Sequence, residues 1–306
     1  MNTIKVSVPS TSANLGSGFD VVAIAHDAYR ESLVLTVIDG GRGEITVESG
    51  SRKVAFQKNT AGLAASLIME EYGISADLRI SLTKSIPTGL GLGSSGASAA
   101  ASVYAMNLAF DLGLSDNEMV RYAMLGETAS SGTPHADNVS AALLGGITIV
   151  RSTDPMDCVS FRPEYGPNLL TVIPYVRLKN KTRSAREMIP TTVETDRAID
   201  NSRRLSSLIH GLITGDRKSL YFGLNDAIYE RSRISLYPYL DMFREKMLEL
   251  GAVGVCASGA GPSILAFLDE QSDIRSMEKA ASSIMGSFKL RFRMVSSGIC
   301  GGARVE

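Results

Sequence analysis

"SIPTGLGLGSSGASAAASVYAMNLAF", Ser85 to Phe110, places four glycines and two serines directly ahead of a long run of small helix-forming residues. Gly89, Gly91 and Gly93 alternate, so side chains are removed from the backbone just where a helix is about to start. The first N–H groups of a helix have no partner inside it, and the aligned peptide dipoles put partial positive charge at that end. Bare backbone leading into such amides makes an anion site, and phosphate is the group it suits. A strand turning into a helix needs at most a glycine pair, not three alternating glycines followed by Ser94, Ser95 and Gly96.

Spacing separates the known phosphate machineries. Gly91, Gly93 and Gly96 satisfy G-x-G-x-x-G, but the acid about 20 residues on is Asp111, inside "NLAFDLGLS" at a helix end, where a dinucleotide fold wants it at the end of a second strand. A P-loop fails more simply, because no Lys-Ser or Lys-Thr follows the glycines.

Upstream, "TIKVSVP", "SLVLTVI" and "EITVES" alternate apolar with polar residues and read as strands, and "DLRISLTKSIP" as a strand ended by Pro87. "NTAGLAASLIMEEYG" reads as a helix stopped at Gly73. Downstream of the loop, a helix runs from about Ser95 to Gly113, and "SDNEMVRYAMLGETAS" opens on Ser115 with Glu118 in capping-box position. "LLGGITIVRSTDPMD" carries a strand into a Pro- and Asp-rich link near Arg151, the expected boundary between a domain of residues 1–150 and one of 151–306. The second half predicts a strand in "NLLTVIPYV", helices over 195–210, 218–232, 240–250 and 274–285, strands in "GVCAS" and "SILAFL", and a closing strand in "KLRFRMV". The pattern is α+β.

With 31 Lys plus Arg against 32 Asp plus Glu, the net charge is −1, which gives no electrostatic case for a nucleic-acid or membrane partner. Cys158, Cys256 and Cys300 are far apart and form no CxxC pair, as expected of a reduced, cytoplasmic chain with no signal peptide. No apolar run approaches the roughly 20 residues that span a bilayer. Small molecules are the expected partners, and a homodimer is the assembly left open.

Three stretches together carry a family resemblance. "IPTGLGLGSSGA" resembles the ATP motif of the GHMP kinases, "VPSTSANLGSGFDVVAIA" their first motif and "GVCASGAGPSILAF" their third, in the family's order and across nearly the whole chain. "SANLGSGFD" and "GTPHADNVSAALLGG" are similar to the branch that phosphorylates homoserine. The resemblance implies a two-domain fold, an N-terminal αβ ATP-binding domain and a ferredoxin-like C-terminal domain, with ATP and Mg²⁺ as cofactors and homoserine as acceptor. Mevalonate or shikimate as acceptor, or a non-catalytic ATP sensor of the same fold, are the alternatives.

Site residues follow from the same resemblance. ATP falls to Ser85, Ile86, Pro87, Thr88, Gly89, Leu90, Gly91, Leu92, Gly93, Ser94 and Ser95, with Asn59 of "KNTAGLAA" near adenine. Mg²⁺ needs hard oxygen ligands, and the family's serine and glutamate map to Ser95 and Glu127. Asn14, Asp20, His135 and Asp137 belong to the substrate wall, with Asp20 or Asp137 facing the ammonium. Asn138 is the candidate for orienting the acceptor hydroxyl, and no residue is singled out as a base. His26 and His210 are too far away in sequence to complete a zinc site with His135. A planar guanidinium matches a carboxylate; the spacing to Pro190 and Pro238 favours Arg186 and Arg233, with Arg183 and Arg231 as the neighbours a register error would substitute. Gly259 and Gly261 let the second half approach the glycine loop closely.

Overall fold

The computed structural model describes residues 2–176 and 185–306. Its first sheet is built on a long hairpin of β1 (Asn2–Asn14) and β2 (Gly18–Ile38), and continues through β3 (Ile45–Ser49), β4 (Arg52–Val54) and β5 (Asp77–Thr83). Along β2, Leu33, Leu35 and Val37 are buried while their neighbours are half exposed, the period-two pattern of a sheet with one covered face. The strand starts well before "SLVLTVI"; the alternation is missing from its earlier part because "VAIAH", Val22–His26, is buried on both faces.

Helices cover that face. α1 (Thr60–Tyr72) begins under the Asn59 cap and ends at Gly73 in left-handed conformation. α2 (Ser94–Ala109) is buried almost all round, between β1 on one side and α1, α3 (Asp116–Ser131) and α4 (Asp137–Leu144) on the others. This accounts for the run of alanine and serine after the glycines: a helix enclosed on every side carries no polar stripe, and small side chains let its neighbours come close. The Ser115–Glu118 capping box opens α3 as expected. Ala97, Ala100 and Val103 of α2 join Ala64, Ile68 and Val120 in one core with the sheet's Leu33, Leu35 and Ile80.

The division expected near Arg151 falls elsewhere. Arg151 lies inside β6 (Ile147–Thr153), which pairs with β2 and with β7 (Met156–Phe161), so the Asp154-Pro155 link is a hairpin turn of the first sheet. The chain leaves that sheet after Phe161 and enters a second one at β8 (Asn168–Pro174).

Between β8 and β9 (Gly254–Ala257) come α5 (Thr195–Thr214), α6 (Arg217–Gly223), α7 (Tyr229–Ser232) and α8 (Leu240–Glu249). The single helix expected over 218–232 is thus two short ones, separated around Leu224–Ile228. β10 (Ile264–Leu268), α9 (Ile274–Ser287) and β11 (Phe292–Gly298) follow, and the sheet order is β11-β8-β10-β9, all antiparallel. This βαββαβ arrangement is ferredoxin-like, and the α+β class stands. The last residues return to the first half, where β12 (Arg304–Val305) pairs with β1.

Candidate active site

The glycine loop is pressed against the turn between β9 and β10. Ser263 N donates to Leu90 O at 3.2 Å, and Gly259 N donates to Ala13 O at 3.0 Å. The Ser258 hydroxyl donates to Gly91 O at 2.6 Å. The glycines do different work. A Cβ on Gly91 would lie 2.3 Å from Ser258 O, and one on Gly93 would lie 1.9 Å from Thr11 Oγ1, while Gly89 has open space. Gly91 (φ 86) and Gly93 (φ 70) also hold left-handed backbone, which other L-residues adopt only with strain. What comes close to Gly91 and Gly93 is therefore the protein itself, and Gly89 is left facing outward.

One cleft gathers most of the residues expected at the site. Asn14, Asp20, Thr88, Gly89, Gly91, Leu92, Gly93, Ser94, Ser95, Glu127, His135, Asp137, Asn138, Arg186, Arg233 and Gly259 all line it. Ser85, Ile86, Pro87, Leu90 and Asn59 do not. Ile86 and Leu90 point into the core, the Ser85 hydroxyl donates to Arg30 O, and Asn59 Oδ1 accepts from Ala61 N and Gly62 N. Ser85, Ile86 and Leu90 thus anchor the loop to the rest of the domain, and Asn59 caps α1. Arg183 lies outside the described residues, whereas Arg231 pairs with Asp241 at 3.0 Å, both side chains being exposed, and does not line the cleft.

Sequence reasoning missed Phe19, which also lines the cleft although it sits within the quoted "SANLGSGFD". Its ring stacks on Tyr229 at 4.3 Å, and the guanidinium carbons of Arg186 and Arg233 lie 5.1 and 5.3 Å from its centroid. Arg233 is buried and its Nε donates to Tyr229 O at 3.0 Å. Arg186 Nη1 meets Asp20 Oδ2 at 2.5 Å. Asn14 (φ 75) and Asp20 (φ 57) are left-handed non-glycine residues; strain of this kind persists where the surroundings fix it and concentrates at functional sites. Only the motif's spacing, not a propensity, carries that signal in the sequence.

Two buried carboxyls set the electrostatics. Burial raises Glu127 to a pKa of about 7, against the pull of a hydrogen bond from Ser95, with Asp137 adding to the rise. Asp137 is raised too, first by burial and then by Asp20, and its Oδ1 accepts from Asn138 N at 2.7 Å and Nδ2 at 3.3 Å. Ser95 and Glu127 thus offer a hydroxyl and a buried carboxylate side by side, hard oxygens whose charge a divalent cation would stabilise, and Mg²⁺ takes few protein ligands of this kind. Among the described residues no group of three or more His, Cys, Asp or Glu could hold a metal, and no helix is long and apolar enough to cross a membrane.

The two sheets, the glycine loop between them and a cleft of mixed charge define a class: the chain belongs to the GHMP kinase family. The model for the N-terminal domain of these kinases matches residues 59–146 and that for the C-terminal domain residues 208–286. A relative from Saccharolobus solfataricus, named homoserine kinase, is 44% identical over 299 residues, 97% of this chain and 96% of its own. Another of that name, from Sulfurisphaera tokodaii, is 41% identical over 97% of both chains. A solved homoserine kinase from Cytophaga hutchinsonii superposes with a TM-score of 0.90 at 31% identity, covering 100% of this chain and 98% of its own.

Proposed function

We propose that this chain transfers the γ-phosphoryl group of ATP to the side-chain hydroxyl of L-homoserine, giving O-phospho-L-homoserine and ADP. The observation that carries the reading is that a single cleft is lined both by Asp20, Arg186 and Arg233 and by the glycine loop, Ser95 and Glu127. Homoserine has an ammonium, a carboxylate and a hydroxyl. Arg186 and Arg233 suit the carboxylate, Asp20 the ammonium, and the hydroxyl then falls near Asn138, which also lines the cleft.

Transfer of a phosphoryl group depends on alignment and on positive charge at the oxygens. The loop amides and the start of α2 hold the phosphates of ATP. Ser95 and Glu127 would hold Mg²⁺, which when bound neutralises phosphate charge. Asn138 presents an amide and not a carboxylate, so it orients the acceptor hydroxyl without removing its proton. His135 and Asp137 close the wall beside it. Gly259, left-handed at φ 58, turns the chain between β9 and β10 beside the loop. A Cβ there would make only an ordinary 3.5 Å contact with Gly91 O, and the tight neighbour of Gly261 is Tyr237, so the close approach expected of these two glycines does not depend on a missing side chain. The reading carries with it threonine biosynthesis as the pathway, the cytoplasm as the compartment and a homodimer as the assembly to test.

ADP release measured in parallel with homoserine, mevalonate, shikimate and galactose tests it. Turnover is expected with homoserine alone. Preference for mevalonate or shikimate, which lack an ammonium, would replace the acceptor, and ATP binding without turnover would make the chain a sensor.

A further inference from the structure

Behind the glycine loop lies a line of buried polar groups that phosphoryl transfer does not use. Ser10, Ser12, His26 and Ser258 are all fully buried. His26 Nδ1 is 3.2 Å from Ser10 Oγ, and His26 Nε2 is 3.2 Å from Ser12 Oγ. Ser12 Oγ is 2.7 Å from Ser258 Oγ, and Ser258 Oγ is 2.6 Å from Gly91 O. The line therefore runs from β2 through β1 to the β9–β10 turn and ends on a peptide of the loop.

Counting protons fixes its direction. Gly91 O has no proton, so the contact at 2.6 Å uses the one on Ser258. Ser258 then has none left for Ser12, and the contact at 2.7 Å uses the proton of Ser12. Ser12 in turn has none for His26, so Nε2 must carry the hydrogen and donate it. Burial pulls the imidazole down to a pKa of about 4, with Asp27 opposing, so the ring is neutral near pH 7 and Nδ1 is bare. The Ser10 hydroxyl accepts from Tyr29 N at 3.1 Å and has one proton, which it shares between His26 O at 2.9 Å and Nδ1 at 3.2 Å.

We infer that His26 is a positioning residue for nucleotide binding: through Ser12 and Ser258 it holds the Gly91–Leu92 peptide of the glycine loop in the orientation that receives phosphate. In a trans peptide the N–H points away from the C=O, so tying Gly91 O to Ser258 turns the Leu92 N–H to the opposite side. The inference rests on the loop being the nucleotide site, as proposed above, and is independent of the acceptor.

The experiment measures ADP affinity by calorimetry in the wild-type protein, Ser258→Ala, His26→Gln, His26→Met and the double variant His26→Met/Ser258→Ala, together with the tautomer of His26 by long-range ¹⁵N–¹H NMR. One net hydrogen bond is worth a factor of about 2 to 13 in affinity, so Ser258→Ala and His26→Met should each weaken ADP by that much. His26→Gln, which keeps a donor in place of Nε2–H, should stay within about 2-fold of wild type, as less than one net hydrogen bond is lost. The double variant should be no worse than the weaker single one, because the groups act in one line. NMR should find the hydrogen on Nε2. Hydrogen on Nδ1, normal ADP affinity in Ser258→Ala, additive losses, or His26→Gln as weak as His26→Met would each overturn the inference. If His26→Met does not fold, Ser258→Ala and the tautomer still decide it. A wild-type protein that binds no ADP would remove the nucleotide site itself and this inference with it, whereas ADP binding with unaffected variants removes the inference alone.

Discussion

The Thr11 hydroxyl donates to Asn138 Oδ1 at 2.7 Å. The contact sets which way the Asn138 amide faces: its oxygen is held by β1, so the end it offers elsewhere is the NH₂. A donor at this position can fix the oxygen of an acceptor hydroxyl but cannot take its proton. Losing one preorganised donor at a reacting oxygen typically lowers turnover about 10²-fold, and that is the loss expected of Asn138→Ala in steady-state kinetics. Thr11→Val should lower kcat by about 2-fold to 10-fold, one net hydrogen bond, while Thr11→Ser stays near wild type. Equal losses in the two Thr11 variants would mean that the hydroxyl does not orient Asn138.

Gly93 sits directly over the same pair. Its Cβ would fall 1.9 Å from Thr11 Oγ1 and 3.0 Å from Asn138 Oδ1, and the residue is left-handed at φ 70. Gly93→Val therefore displaces both side chains and strains the loop, and a β-branched residue is the least tolerant of that backbone. The variant is expected to fold, with its core unchanged, and to lose ATP binding by isothermal titration. Near-normal ATP affinity in a folded Gly93→Val protein would remove the loop from the phosphate site.

Much of this architecture was legible because local chemistry and the final environment agree. The alternation in "SLVLTVI", the Ser115–Glu118 cap and the Gly73 stop each state their structure in a few residues, and the glycine loop states its function by removing side chains. What stayed hidden depends on contacts between distant segments. Val22–His26 of β2 is buried on both faces, so periodicity vanished there. α4 begins at Asp137 with no side-chain cap of its own, so no capping signal in "PHADN" marks its start. Ile86 and Leu90 lie inside the motif yet face the core, since a loop between two packed elements must also anchor itself. Phe19 reads as an ordinary apolar residue until Tyr229, Arg186 and Arg233 arrive from the other half of the chain.

Glu127 contributes to the pH dependence of stability, alongside the other buried groups Asp137, Glu31, Asp226 and His26. The Glu127 carboxyl titrates near 4.5 when unfolded and at about 7 in the folded chain, so between those values the native state holds a proton that the unfolded state has released. Stability then falls as pH rises through that window, and the full cost is reached above pH 7. Glu127→Gln removes the charge and should melt higher than wild type at pH 8 in metal-free buffer, with the difference vanishing below pH 4.5. The same variant, and Ser95→Ala with it, should need more Mg²⁺ for half-maximal turnover, since each loses an oxygen ligand or its charge. Melting curves that stay parallel from pH 4 to 8 would place the carboxyl in water, and wild-type rates at limiting Mg²⁺ in both variants would move the metal elsewhere.

Substrate recognition is the most direct test of the arginines. Phe19 lies against Arg186 and Arg233 together, while Arg231 is turned toward Asp241. Arg186→Ala and Arg233→Ala should each raise the homoserine KM by about 10-fold to 200-fold, the worth of one charge-assisted hydrogen bond, and leave the ATP KM nearly unchanged. Arg231→Ala should change neither. Phe19→Leu, which removes the ring that both guanidinium groups lie against, should also raise the homoserine KM, since a cation–π contact is worth about 0.5–1 kcal/mol at an exposed cation such as Arg186 and about 2 kcal/mol at a buried one such as Arg233. A homoserine analogue without its carboxylate should bind the wild-type enzyme weakly, and Arg→Ala should then cost little more, because the group it served is already gone. A destabilised protein would instead lose affinity for both compounds alike. Full additivity of the two losses, or an unchanged KM in Arg186→Ala and Arg233→Ala, would show that other groups hold the carboxylate.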